Sequence, residues 1–464
     1  MKRKLAFIVA IAALCLSLAA LTTLVIAPSF SHKKGTASTE KSLLGGIFEG
    51  KNKIYLEAKE LYDKGDVYGA LDKMNTAAEK NKTKEYTALK TEAVKKVSSE
   101  LMTAAQTSAK EGDYKKAAES LDTLYRYAPE KKQETEKLYK TYQQFSTLVA
   151  YQGPVEHIFF HPLIAYPELA FDGDAQQKGF DDYFVTVPEF KEIMRQFYAN
   201  GYVLIDIHLL YQVDANGVAQ KPESLMIPEG KKPLVLSIDD LNFYKYMKAN
   251  GMAHGFALNE EGNIVTYTDQ ADGTRTYSDD NAIVPILEKF VAENPDFSFR
   301  GARGVIASTG YEGILGFPTD LMDAPNYPQI LAQAKAIADK LKEMGWCFAS
   351  HSYGHNSPSK RSYEKIAADN DKWLREATPV LGPTDIYIYP YGELIDVKDP
   401  KHQHMLQNGF KMFCGVQSRS AYLKYRGENG VLMQRRNIDG ISLKGGRLND
   451  LLDVSKILDP VRPK

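Results

Sequence analysis

Short apolar runs bounded by turn signals recur at 155–160, 203–207, 234–238, 297–305, 346–350, 385–389 and 411–416. Between them apolar residues return every three or four positions, as at 188–200, 281–294, 327–344 and 363–381. The first pattern predicts buried strands and the second amphipathic helices. Strand–helix units repeated in this way predict an α/β fold over residues 152–464, a distorted (β/α)7 barrel, and sites in such barrels lie at the C-terminal ends of the strands. Residues 257–280, rich in Glu, Asn, Gly, Thr and Asp, predict a polar insertion.

Residues 51–148 carry a different pattern, with Ala, Leu and Tyr at helical spacing and Lys and Glu between them. A weak repeat runs through it: Lys64-Gly-Asp-Val-Tyr-Gly-Ala70 matches Glu111-Gly-Asp-Tyr-Lys-Lys-Ala117 at an offset of 47 residues, Gly65 to Gly112. Each copy predicts one helix ending at Gly-Asp and another starting beside a small Ala. The segment resembles tetratricopeptide hairpins, with a spacing longer than their period of about 34 residues, and predicts an all-α helical-hairpin domain. Such an array would serve as a docking surface for a protein or glycan partner, or as a spacer.

The amino end begins Lys2-Arg3-Lys4, followed by an uncharged, Pro-free apolar stretch over 5–27 and then Pro28. That stretch is long enough to cross a hydrocarbon core of about 30 Å and longer than the ~7–15 apolar residues of a cleaved signal peptide. It predicts a transmembrane signal anchor over 1–27, a cell-membrane, single-pass placement with the rest of the chain extracellular, and a Ser-, Lys-, Thr- and Gly-rich linker over 28–50. Leu14 is too large to precede a lipidated Cys, so Cys15 reads as a buried residue of that helix.

Composition adds limits. The 464 residues are 44% hydrophobic and 25% charged, with a formal net charge of -1, which suits two or three globular domains and gives no basic excess for nucleic acid. Cys347 and Cys414 sit in apolar runs and read as small core residues, since two cysteines do not make a disulfide framework.

Candidate chemistry gathers at two strand ends. Ser237-Ile238 leads into Asp239-Asp240, and Ala349-Ser350 leads into His351-Ser352-Tyr353-Gly354-His355. One Asp and two His can hold a divalent metal while leaving a position for an attacking water, and a second Asp can act as base. Asp181-Asp182 and Asp279-Asp280 lack a preceding apolar run and read as solvated loop charges.

Asp-Asp, then His-Ser-x-x-His, then Tyr389-Pro390-Tyr391-Gly392 is the motif order of the NodB-like polysaccharide deacetylases, carbohydrate esterase family 4, which this chain resembles over about 155–441. The resemblance implies that Asp239 is the general base, that Asp240, His351 and His355 bind the metal, and that the Tyr391 N–H donates to the oxyanion. It also implies substrate contacts from Tyr389 and Pro390. Ile388 stands where the family has Arg, and no His follows His404, so the family's usual acid motif is missing. The run His157-Ile158-Phe159-Phe160-His161 resembles the first strand of circularly permuted members, including extracellular poly-N-acetylglucosamine deacetylases. That likeness makes His161 the general acid and His157 an interior histidine on the same strand face. Arg435 or Arg436 would replace the missing Arg, with Arg436 as a substrate contact. The implied function is metal-dependent N-deacetylation of N-acetylated amino sugars in a cell-envelope or extracellular polysaccharide, with zinc first and cobalt, nickel or manganese as other fits. The competing readings are a catalytically inert glycan-binding or scaffold protein and an O-acetyl esterase.

Overall fold

The computed structural model describes residues 45–77, 82–416 and 422–463. Five helices come first: α1 (Gly45–Asp63), α2 (Val67–Asn75), α3 (Lys84–Glu111), α4 (Tyr114–Tyr127) and α5 (Lys132–Phe145). The Gly-Asp repeat is a joint between helices. Gly65 and Gly112 take φ of +88° and +87°, the left-handed conformation that stops a helix. Asp66 and Asp113 then accept the N–H groups of Gly69 and Lys116 and cap α2 and α4. Helix α1 starts inside the stretch read as linker, and residues 28–44 lie outside the described residues.

The expected membrane anchor, and with it the single-pass, cell-membrane placement, is corrected. Among the described residues no helix is long and apolar enough to cross a membrane. The 5–27 segment on which that expectation rested lies outside them.

Seven parallel strands follow: β1 (Glu156–Phe160), β2 (Lys232–Asp239), β3 (Gly304–Ser308), β4 (Trp346–Ser350), β5 (Ile386–Ile388), β6 (Met412–Val416) and β7 (Val431–Asn437). Each pairs with the next in sequence, and β7 pairs with β1, so the sheet closes into a barrel. Helices α6 (Val187–Ala199), α7 (Ile283–Glu293), α8 (Tyr327–Met344) and α9 (Tyr363–Glu376) cover its outside.

Four elements depart from the sequence reading. The run at 203–207 gives only the strand Tyr202–Leu204, which flanks the start of β2, because Asp206 turns the chain by capping a 3₁₀ turn at His208. The true closing strand is β7, whose Gln434-Arg435-Arg436 end, with both Arg buried, hides it from an apolar-run search. The 297–305 run begins as a 3₁₀ turn, is bent by Arg300 (φ +54°) and Gly301 (φ +74°), and becomes strand only at Gly304. The 257–280 insertion is an antiparallel sheet of Gly255–Leu258, Ile264–Asp269 and Arg275–Ser278 whose Ile264, Thr266 and Thr268 alternate inward.

The core has two main parts. Ile158, Phe160, Leu236, Ile238 and Phe348 face outward onto the helices. Val235, Val305, Ala307, Ala349, Ile388, Met412, Cys414 and Met433 fill the barrel, and this cluster runs on through Ile205, Ile207 and Phe299 into the helical array at Tyr114 and Phe145. The array therefore stops the end of the barrel where the strands begin. The opposite mouth stays open.

Candidate metal centre

Strand alternation decides what enters the barrel. His157, Phe159 and His161 share one face of β1 and its extension, as do Val235, Ser237 and Asp239 on β2. Asp239 ends β2, is buried, and meets Arg435 of β7 in a two-pronged ion pair, Nη1 to Oδ1 at 2.6 Å and Nη2 to Oδ2 at 2.9 Å. The guanidinium carbon lies 4.1 Å from the Phe159 ring centre. Burial pushes the Asp239 carboxyl up, but Arg435 and His351 outweigh it and hold its pKa at about 2. Below the pair, Arg435 Nη1 donates to Ser237 Oγ at 3.2 Å and Ser237 meets His157 Nε2 at 3.0 Å. Complete burial, with Arg435 beside it, drops the His157 pKa well below the usual range and keeps it neutral.

Asp240, one residue past β2, has φ +58°. Its Oδ1 accepts the Tyr244 hydroxyl at 2.9 Å, which leaves Oδ2 turned 3.7 Å from His355 Nε2. His351 follows β4 and donates Nδ1–H to the Ile388 carbonyl at 2.8 Å, so its Nε2 lone pair is free; a carbonyl fixing the far ring nitrogen is the usual orientation device of a metal-binding His. The ligand atoms of Asp240, His351 and His355 all lie within 4.8 Å of one another. Two imidazoles and a carboxylate with an open side fit a divalent cation of the zinc type.

The loop carrying His355 is held by a residue the motif search did not single out. Asp369 of α9 accepts Ser352 Oγ (2.7 Å), Tyr353 N–H (2.7 Å), Gly354 N–H (2.8 Å) and Asn356 Nδ2 (2.5 Å). These bonds fix Ser352 at φ +63° and His355 at φ +50°, conformations that cost of order 1–3 kcal/mol each and persist only when their surroundings impose them. Nothing local to 351–355 points to Asp369. Its one signal is a carboxylate on the helix face that also carries Ile366 and Trp373.

His161 sits just beyond β1. Its Nδ1 donates to the Tyr183 carbonyl at 3.1 Å, with the ring between Phe159 and Phe184, so Nε2 is the ring nitrogen that this bond leaves unengaged. A cavity of about 660 Å³ opens at this mouth and is lined by Asp239, Asp240, His351, His355, His161 and Tyr391, among others. Tyr391, at φ +59° and 65% exposed, places its ring 4.6 Å from that of His355.

Three sequence candidates do not line the cavity. Tyr389 is fully buried with its hydroxyl on His402 Nδ1 at 3.0 Å, because it faces out of the barrel with Tyr387 into the cluster of Met405, Phe410 and Phe413, and Pro390 is buried with it. Arg436 is on the opposite face of β7 from Arg435 and binds Asp450 at 2.6 Å and 2.7 Å, so the partner of Asp239 is Arg435. Asp181, read as a solvated charge, is instead paired with Lys444 and Arg462.

No protein-family model matches the chain, and no curated protein matches it. Four chains of solved structures match. One of them, the Streptococcus pyogenes deacetylase PplD in complex with acetate, is 14% identical, with a TM-score of 0.36 over 66% of this chain and 100% of that chain.

Proposed function

We propose that the protein is a metal-dependent hydrolase that removes acetyl groups from the N-acetylated amino sugars of a polysaccharide. The observation that carries this reading is the convergence, in one cavity, of a three-residue metal site, a second carboxylate beside it and an imidazole from another strand. Asp240, His351 and His355 would hold the ion. The chemistry a divalent cation supplies there is polarisation of the acyl oxygen and acidification of the attacking water.

The remaining steps belong to this chain's own side chains. Asp239 takes the proton of the attacking water, and Arg435 keeps its carboxylate ionised and aimed. The Tyr391 N–H donates to the developing oxyanion, a contact of the kind worth about 3–4 kcal/mol when one donor is removed. His161, held through Nδ1 by the Tyr183 carbonyl, delivers a proton from Nε2 to the departing sugar nitrogen. An amide nitrogen is a poor leaving group without that proton, which is why an imidazole opposite the base suits an amide.

One observation favours the inert glycan-binding reading: both Asp239 oxygens are engaged by Arg435. Acetate release decides between the two. Chelator-stripped protein, refilled in turn with zinc, cobalt, nickel or manganese, is offered a panel of N-acetylated and O-acetylated glycans. We expect metal-dependent release from the N-acetylated members. Metal-loaded protein that releases no acetate from any member is inert, and release from O-acetylated members alone identifies an esterase.

A further inference from the structure

At the closed end of the barrel, far from the cavity, a second set of metal-binding groups meets. We propose that Asp206, His208 and Cys347 form a structural metal site that takes a zinc-type divalent cation. Their ligand atoms lie within 4.8 Å of one another. Asp206 and His208 belong to the turn after the Tyr202–Leu204 strand, and Cys347 is the second residue of β4.

The donor set and its setting both suit such an ion. Carboxylate, imidazole and thiolate are the three zinc-ligand classes, and bonds of about 2.0–2.3 Å place tetrahedral ligands roughly 3.3–3.8 Å apart. His208 Nδ1 is hydrogen-bonded to Asp206 Oδ1 at 2.6 Å, closer than two ligands of one ion sit, so an ion would replace that proton and part the two atoms by under 1 Å, about 0.7 Å, while Nε2 is held by Asp385 Oδ1 at 3.2 Å and Asp385 Oδ2 accepts the Tyr211 hydroxyl at 2.7 Å. That chain of tyrosine, carboxylate and imidazole orients one ring nitrogen for an ion, as carboxylate–histidine–metal arrangements do. Two carboxylates around one imidazole also leave the spot short of positive charge. The Cys347 sulfur has one weak hydrogen bond, to the Gly304 carbonyl at 3.6 Å. Solvent reaches the site through Asp206 and His208, whose side chains are 49% and 42% exposed.

The ion would release the thiol proton and tie the turn that plugs the barrel to the starts of β4 and β5. Cys347 and His351 lie on one face of the same strand, four residues or about 13 Å apart, so β4 would contribute a ligand to each site. The cavity site contains no sulfur, which makes the two distinguishable.

The test is cobalt substitution of the chelator-stripped, reduced protein. We expect two equivalents of cobalt per chain and a near-ultraviolet sulfur-to-cobalt charge-transfer band. Cys347→Ser should lose the band and one equivalent, Cys414→Ser should keep both, and His355→Ala should keep the band while losing the other equivalent. Asp385→Asn, which leaves every proposed ligand in place, should weaken cobalt at this site about 10–100-fold. The absence of the band at saturating cobalt, or a band undiminished in Cys347→Ser, overturns the proposal whether or not the cavity proves catalytic.

Discussion

Arg435 and His161 are the residues on which the proposed chemistry turns. The Asp239 carboxyl has a folded-state pKa of about 2, below the unperturbed value of about 3.9. The pair's contribution to stability is therefore full above about pH 4 and is lost as pH falls through about 2. Arg435→Ala leaves a buried carboxylate unpaired at a cost of about 3–5 kcal/mol and lets burial raise the Asp239 pKa. Denaturant unfolding should show the loss, and the acid limb of kcat/KM should move to higher pH; an unmoved limb would separate Asp239 from the base role. His161→Ala should keep the metal, because no proposed ligand touches it, and lose about 10²–10⁴-fold on an N-acetyl sugar. An activated aryl ester needs no proton on its leaving group, so the loss there should be much smaller. Equal losses on both substrates would remove His161 from the acid role.

At the scale of elements, the site depends on how strand ends and loops are held. Helix α9 sets the 351–355 loop through Asp369, so Asp369→Ala should weaken metal binding about 10–100-fold while the fold persists, as read by metal titration beside circular dichroism. Unchanged affinity would mean that the loop holds its left-handed turns unaided. This dependence also explains what could be read from the sequence. Asp239-Asp240 and His351-x-x-x-His355 follow apolar strands, so their place at the barrel mouth was legible from local pattern. Arg435, Asp369 and Tyr244 act through contacts formed across 196, 17 and 4 residues of chain respectively, and only the last is local. Strand β7 escaped notice because its inward Arg435 is charged, and the Arg435 and Arg436 pair could not be divided between faces without the register. The 257–280 insertion reads from sequence only as polar, since its third strand, Arg275–Ser278, is largely exposed.

Across the whole molecule, the helical array and the barrel share one core. Tyr114 stacks on Phe299 at 5.8 Å and accepts the Arg300 N–H at 2.7 Å, Lys110 and Lys137 reach the Glu343 and Glu293 carbonyls, and Leu148–Ala150 pairs with Met226–Pro228. The array is thus part of the barrel's closure. Urea should unfold both in a single transition, and Tyr114→Ala should lower stability by about 3 kcal/mol; two separated transitions would show independent units. The central claim is that Asp239 activates water beside a metal held by Asp240, His351 and His355. Its most direct test is acetate release from an N-acetylated amino-sugar oligomer by wild-type protein and Asp239→Asn, with the metal content of each measured on the same sample. The account predicts release by the wild type, and in the variant full metal with a rate about 10²–10⁴-fold lower. Metal-loaded wild type that releases no acetate, or a variant as fast as the wild type, would contradict it.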